Sequence, residues 1–84
     1  MVSYLILCRS LTHAQRSASA LNRAGIPAHV LRCPKGISTE GCSHCVKITK
    51  RILDRAMEAL RQAGLTPKHV FEHDGAGGFE EVEL

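Results

Sequence analysis

An α+β sandwich, two helices on one face of a four-stranded antiparallel sheet, is the fold the sequence predicts. Three observations predict it. Short apolar runs, too brief for stable helices, alternate with two longer stretches of helical periodicity. Each helical stretch ends on a glycine followed by an apolar residue, Gly25-Ile26 and Gly64-Leu65. The chain also echoes itself: Leu21-Asn22-Arg23-Ala24-Gly25-Ile26 parallels Leu60-Arg61-Gln62-Ala63-Gly64-Leu65, and His29-Val30 parallels His69-Val70.

The elements follow in order. Tyr4–Arg9 is an apolar run suited to a buried strand. Thr12, with Gln15 three residues later, forms a capping-box pattern, so a helix is expected to begin there. Ala14, Ala18, Leu21 and Ala24 recur at helical spacing. Gly25 stops the helix and Pro27 forbids its continuation. Ala28–Cys33 reads as a second strand, with Ala28, Val30 and Leu31 as candidates to face inward. Pro34–His44 is a loop rich in Gly, Ser and Pro, with Gly36 and Gly41 bracketing a mobile arm. Cys45–Thr49 alternates as a half-buried strand, Val46 and Ile48 inward. Lys50–Ala63 is a second helix whose apolar stripe is Ile52, Leu53, Ala56, Leu60 and Ala63. Lys68–Glu72 is the fourth strand. The expected domain spans residues 1–73, and 74–84 reads as a flexible tail, Gly-rich and then acidic. The two halves together give β-α-β-β-α-β, the ferredoxin-like split βαβ arrangement.

That layout matters for the four cysteines. Strand three should return antiparallel between strands one and two. Cys8, Cys33, Cys42 and Cys45 would then gather at one end of the sheet, beside the N-terminus of the first helix. Free N–H groups there favour a nearby anion, and a thiolate is one. Arg9, Lys35, His13 and His44 are candidate cations. Cys42, following Gly41 in the loop, is the expected reactive thiol. The Cys42-x-x-Cys45 spacing lets both sulfurs reach one atom or each other. Cys8 and Cys33 read more simply as small hydrophobes at strand ends. Asp54, Arg55, Glu58 and Arg61 read as a solvated helix face.

Composition bounds the function. The 84 residues make one domain, with a thin stability margin that dimerisation would widen. The net charge of +3 is spread rather than massed, and aromatics are few (Tyr4, Phe71, Phe79, no Trp), so no nucleic-acid partner is expected. No run approaches the roughly 20 apolar residues of a membrane span. The first residues lack a basic segment and a cleavage site, so they read as a strand and the location as cytoplasmic. In a reducing compartment cysteines point to metal binding or reactivity before structural disulfides.

Tyr4-Leu5-Ile6-Leu7, Ser10, Thr12-His13-Ala14, Leu21, Ala24-Gly25-Ile26-Pro27, Pro34, Ile37-Ser38, Gly41-Cys42 and Val46-Lys47-Ile48 together resemble a family of small bacterial selenium/sulfur carrier-like proteins. The resemblance covers roughly Tyr4 to Leu65. It implies that Cys42 holds sulfur or selenium as a persulfide or selenylsulfide and passes it between donor and acceptor proteins. Ser10, Thr12, His13, Gly41, Ser43 and His44 are the expected binding residues around it. Ser43 departs from the glycine frequent after that cysteine in the family, and Cys45 is available as a resolving thiol.

Two other readings stand beside the carrier. A thiolate metal module would take Zn or Cu(I) on Cys42 and Cys45 with Cys33, Cys8 or the nearby histidines, although Cys8 and Cys33 are isolated singles rather than a tight pair. An interaction or regulatory domain would use the open sheet face and leave the cysteines incidental. No Ser-His-Asp pattern, phosphate loop or paired carboxylates suggest a stand-alone enzyme, and Gly75-x-Gly77-Gly78 lacks the strand and helix a nucleotide loop needs. No resident cofactor is expected on the carrier reading.

Overall fold

A computed structural model of the chain describes residues 3–34, 44–49, 52–67, 69–75 and 78–82. The elements are β1 (Ser3–Cys8), α1 (Leu11–Arg23), β2 (His29–Arg32), β3 (His44–Thr49), α2 (Leu53–Gln62), β4 (Val70–His73) and β5 (Phe79–Val82). The protein is α+β, two helices with one five-stranded antiparallel sheet in the order β2-β3-β1-β4-β5.

β1 lies at the centre, paired with β3 on one side and β4 on the other, and all six of its residues are buried. A strand covered on both faces needs an unbroken apolar run, which Tyr4-Leu5-Ile6-Leu7-Cys8 supplies. Its side chains alternate between two clusters. Tyr4, Ile6 and Cys8 join Val46, Ile48 and Val70 beneath Ala14, Ala18 and Leu21 of α1 and Ala56 and Leu60 of α2. Leu5 and Leu7 point the other way and join Cys45, with Leu31, Cys33, Phe71 and Phe79 around them. Both helices therefore cover one face, as expected. Val30 packs on the helix side and Leu31 on the opposite side, which settles which of the two faces the helices.

The expected sheet is corrected in one respect: it has five strands, so the split βαβ arrangement is not matched exactly. Phe79–Val82, placed in the tail by composition, pairs antiparallel with β4, with Phe71 opposite Glu81 and His73 opposite Phe79. The turn between them has Gly75 at φ +83 and the Gly78 N–H donating to Asp74 Oδ1 at 3.2 Å. Gly75 allows the positive φ, and the Asp side chain closes the turn. Phe79 then stacks on His73, ring centroids 4.6 Å apart.

The start of α1 is corrected as well. Ser10, not Thr12, is the N-cap: its Oγ accepts the His13 N–H at 3.1 Å. Thr12 lies inside the first turn, exposed. Both helices end as expected, with Gly25 and Gly64 at φ +81 and +72 and the N–H groups of Ile26 and Leu65 returning to Leu21 and Leu60. On the outer side of α2, Arg61 pairs with Glu58 and Gln62 donates to the same carboxylate, which fits the solvated face expected there.

Candidate thiol site

β3 runs antiparallel between β1 and β2, and its register decides where the thiols go. Leu7 lies opposite Cys45 and Cys8 opposite His44, while Leu31 pairs with Cys45 and Arg32 with His44. The end of β1, the end of β2 and the start of β3 therefore meet at one end of the sheet. Cys8, Cys33 and Cys45 all stand there.

They do not share a face. Cys8 is 2% exposed on the helix side, its thiol 3.6 Å from the Ile6 carbonyl. Cys45, fully buried, is on the opposite side with Leu5 and Leu7. Cys33 comes just after β2, two residues beyond Leu31, so alternation returns it to the face of Cys45. The two sulfurs are 2.8 Å apart. Cys33 is only partly buried, so one member of the pair is open to solvent and the other is not.

For the three described cysteines, Cys8, Cys33 and Cys45, the thiols share one end of the sheet and are split between its two faces. The sheet separates Cys8 from Cys33 and Cys45, which divides the ligand set Cys8, Cys33, Cys42 and Cys45 considered for a metal. Among the described residues no three His, Cys, Asp or Glu side chains gather to hold a metal ion. Gly41, Cys42, Ser43 and the candidate cation Lys35 lie outside the described residues.

The remaining expected site residues divide by role. Ser10 spends its hydroxyl on the His13 amide and its carbonyl on the Ala14 amide, so it serves the helix end. Thr12 is exposed on the same turn. His13 is half-buried, and its Nδ1 is buried with no hydrogen-bond partner among the described residues. Burial first, and then the charges of Arg9 and Arg16, push the His13 ring below the ordinary histidine range. Both causes act against a charged ring and so against the expectation of His13 as a cation beside a thiolate. His44 opens β3, half-buried, between Cys8 and Arg32 in the register. Arg9 is exposed just after β1.

Cys33 is the functional candidate that spacing undervalued. The signal for it is the pairing of Leu31 with Cys45, and that register cannot be read from separation along the chain. Chemically, a partly buried thiol touching a fully buried one is a dithiol suited to exchange, since Cys33 is the more open of the two to reagents and Cys45 lies within reach of it.

No helix among the described residues is long and apolar enough to cross a membrane. Searches of curated proteins and of solved structures give no match. The family described as "Putative Se/S carrier protein-like" matches residues 3–72, the whole α/β framework from β1 into β4. The chain belongs to this Se/S carrier-like family.

Proposed function

We propose that the protein is a small thiol carrier that accepts a sulfur or selenium atom on Cys42 and hands it to a partner protein. The observation that carries this reading is the arrangement at the sheet end. The segment holding Cys42 leaves β2 and enters β3 where Cys33 and Cys45 stand 2.8 Å apart. Cys42 is three residues before Cys45, so the chain keeps their Cα atoms within about 11 Å. Membership in a family described as carrier-like supports it.

On loading, the Cys42 thiolate attacks the outer sulfur of a donor persulfide. The donor's S–S bond breaks, the donor leaves as a thiolate, and Cys42 becomes a persulfide. Release goes to an acceptor thiolate in the same way. Alternatively, Cys45 attacks the inner sulfur of the Cys42 persulfide, expelling hydrosulfide and leaving a Cys42–Cys45 disulfide. With selenium the leaving group is hydrogen selenide. Donor and acceptor are proteins on this reading, and no membrane or nucleic acid takes part.

A second reading is kept by the same pair of sulfurs. Cys33 and Cys45 would give two thiolates towards a Zn or Cu(I) ion, with Cys42 as a third. Intact mass spectrometry of protein purified without oxygen or reductant separates the two. A covalent sulfur or selenium increment that survives denaturation, disappears with reductant and is absent from Cys42→Ser is the result expected of a carrier. A metal-sized increment seen under native conditions alone moves the assignment to the metal module.

A further inference from the structure

Cys33 and Cys45 come from different strands, and their sulfurs already touch. A disulfide bond is about 2.04 Å long, so closing one asks the sulfurs to approach by roughly 0.8 Å from 2.8 Å. Rotation about the side-chain bonds of Cys33, which follows the end of β2, is the natural source of that movement. The two residues bracket positions 34–44, the stretch that includes Cys42.

We propose that Cys33 and Cys45 form a redox site of their own, a dithiol that closes reversibly to a disulfide by exchange with a small-molecule disulfide of the glutathione class. The inference goes beyond the carrier reading and does not rest on it, because no cargo atom takes part.

The unequal burial of the two thiols sets the order of events. Cys33, part exposed, loses its proton and attacks one sulfur of glutathione disulfide. That S–S bond breaks, a glutathione thiolate leaves, and Cys33 carries a mixed disulfide. Cys45 is buried from solvent, and its sulfur lies 2.8 Å from that of Cys33. Its thiolate attacks Cys33 Sγ, the mixed disulfide breaks, and the second glutathione leaves. Two protein thiols have been oxidised by two electrons, and one glutathione disulfide has been reduced to two glutathiones that carry off the two protons. The product ties the end of β2 to β3 and closes a covalent loop around the segment of Cys42.

The test uses the full-length chain, reduced and then equilibrated with glutathione disulfide, acid-quenched, denatured, alkylated and peptide-mapped. In Cys42→Ser, alkylatable thiols are expected to fall from three to one, with the missing pair mapped as a Cys33–Cys45 link. The wild-type chain is expected to give the same link. Cys45→Ala is expected to stop with one glutathione on Cys33. Cys33→Ala is expected to leave Cys45 unmodified until the chain unfolds. A wild-type chain that maps as Cys42–Cys45 with Cys33 alkylated overturns the proposal. So does a Cys42→Ser chain that keeps three alkylatable thiols, or one that accumulates glutathione on Cys33 without passing it on. Should either alanine variant not fold, wild-type mapping still decides. Loading of Cys42 with sulfur is measured separately, so loss of one reading leaves the other standing.

Discussion

Cys8 and Cys45 stand on adjacent strands, one residue out of direct register, and face opposite sides of the sheet. A one-residue offset is enough to do this, because strand side chains alternate. Cys8 is packed among Ile6, Val46 and the residues of α1, and Cys33 is partly open. The two should differ sharply as nucleophiles. In native protein Cys33 is expected to be alkylated readily, and Cys8 only as fast as the domain opens. Site-resolved alkylation followed by peptide mapping checks this. Equal rates at Cys8 and Cys33 under native conditions would contradict the placement of Cys8 beneath the helices.

Cys45 is fully buried among Leu5, Leu7 and neighbouring apolar side chains. Cys45→Ser would place a hydroxyl there, at a cost of about 1–3 kcal/mol. Cys45→Ala removes volume but adds no polar group, so its cost should be smaller. Urea unfolding measures both. The alanine variant also tests the role proposed for Cys45 in release. It is expected to accept sulfur on Cys42 at the wild-type level and to lose sulfide release in the absence of an acceptor thiol. Unchanged release would leave Cys45 a packing residue.

The helices, the order of the first four strands and the glycine stops were legible because each rests on local chemistry. Gly25 and Gly64 take positive φ, and Val46 and Ile48 face the helices as their alternation requires. β5 was hidden. Phe79-Glu80-Glu81-Val82 has two charges at its centre and follows a glycine run, so composition reads as tail. It is an edge strand with Glu80 and Glu81 exposed, and pairing with β4 supplies what its own sequence lacks. The Cys33–Cys45 contact was hidden for a different reason. Spacing along the chain favours Cys42 with Cys45, whereas spatial proximity follows from which residue of β2 lies opposite which residue of β3.

β5 gives a direct test of that account. Phe79 stacks on His73 and packs towards the cluster of Leu5 and Leu7. Phe79→Ala should lose the stacking, worth about 0.5–1.5 kcal/mol, together with the apolar area it buries. Amide hydrogen exchange should show loss of protection concentrated in β4 and β5, with α1 little changed. A variant as stable as wild type would return Phe79–Val82 to the role of tail.

Two hydroxyls competed for the start of α1. Ser10 caps the helix, and Thr12 sits exposed in its first turn. Ser10→Ala is therefore expected to cost about 0.5–2 kcal/mol. Thr12→Ala should be close to neutral, since alanine is the better helix former and no hydrogen bond to the Thr12 side chain is needed. Chemical denaturation of the two single variants gives the comparison. The opposite ranking would restore the capping box at Thr12 and Gln15.

His13 links the same helix start to pH. Its ring is held below the ordinary histidine range by burial and by Arg9 and Arg16, and its Nδ1 is buried with no partner among the described residues. A depressed value in the folded state means the unfolded chain binds the proton more tightly. The stability contributed by neutral His13 is then fully present above the unfolded histidine value, about 6.5. It is lost as pH falls from there through the lower folded value. Wild-type protein should therefore be less stable at pH 5 than at pH 7, and part of that difference should disappear in His13→Gln, which cannot take up the proton. Urea titrations of both chains at the two pH values measure it. An identical pH dependence in the variant would show that His13 does not carry the effect. A stability that rises on acidification and loses that rise in the variant would mean that His13 is charged in the fold, which would reinstate it as a cation beside the thiol site.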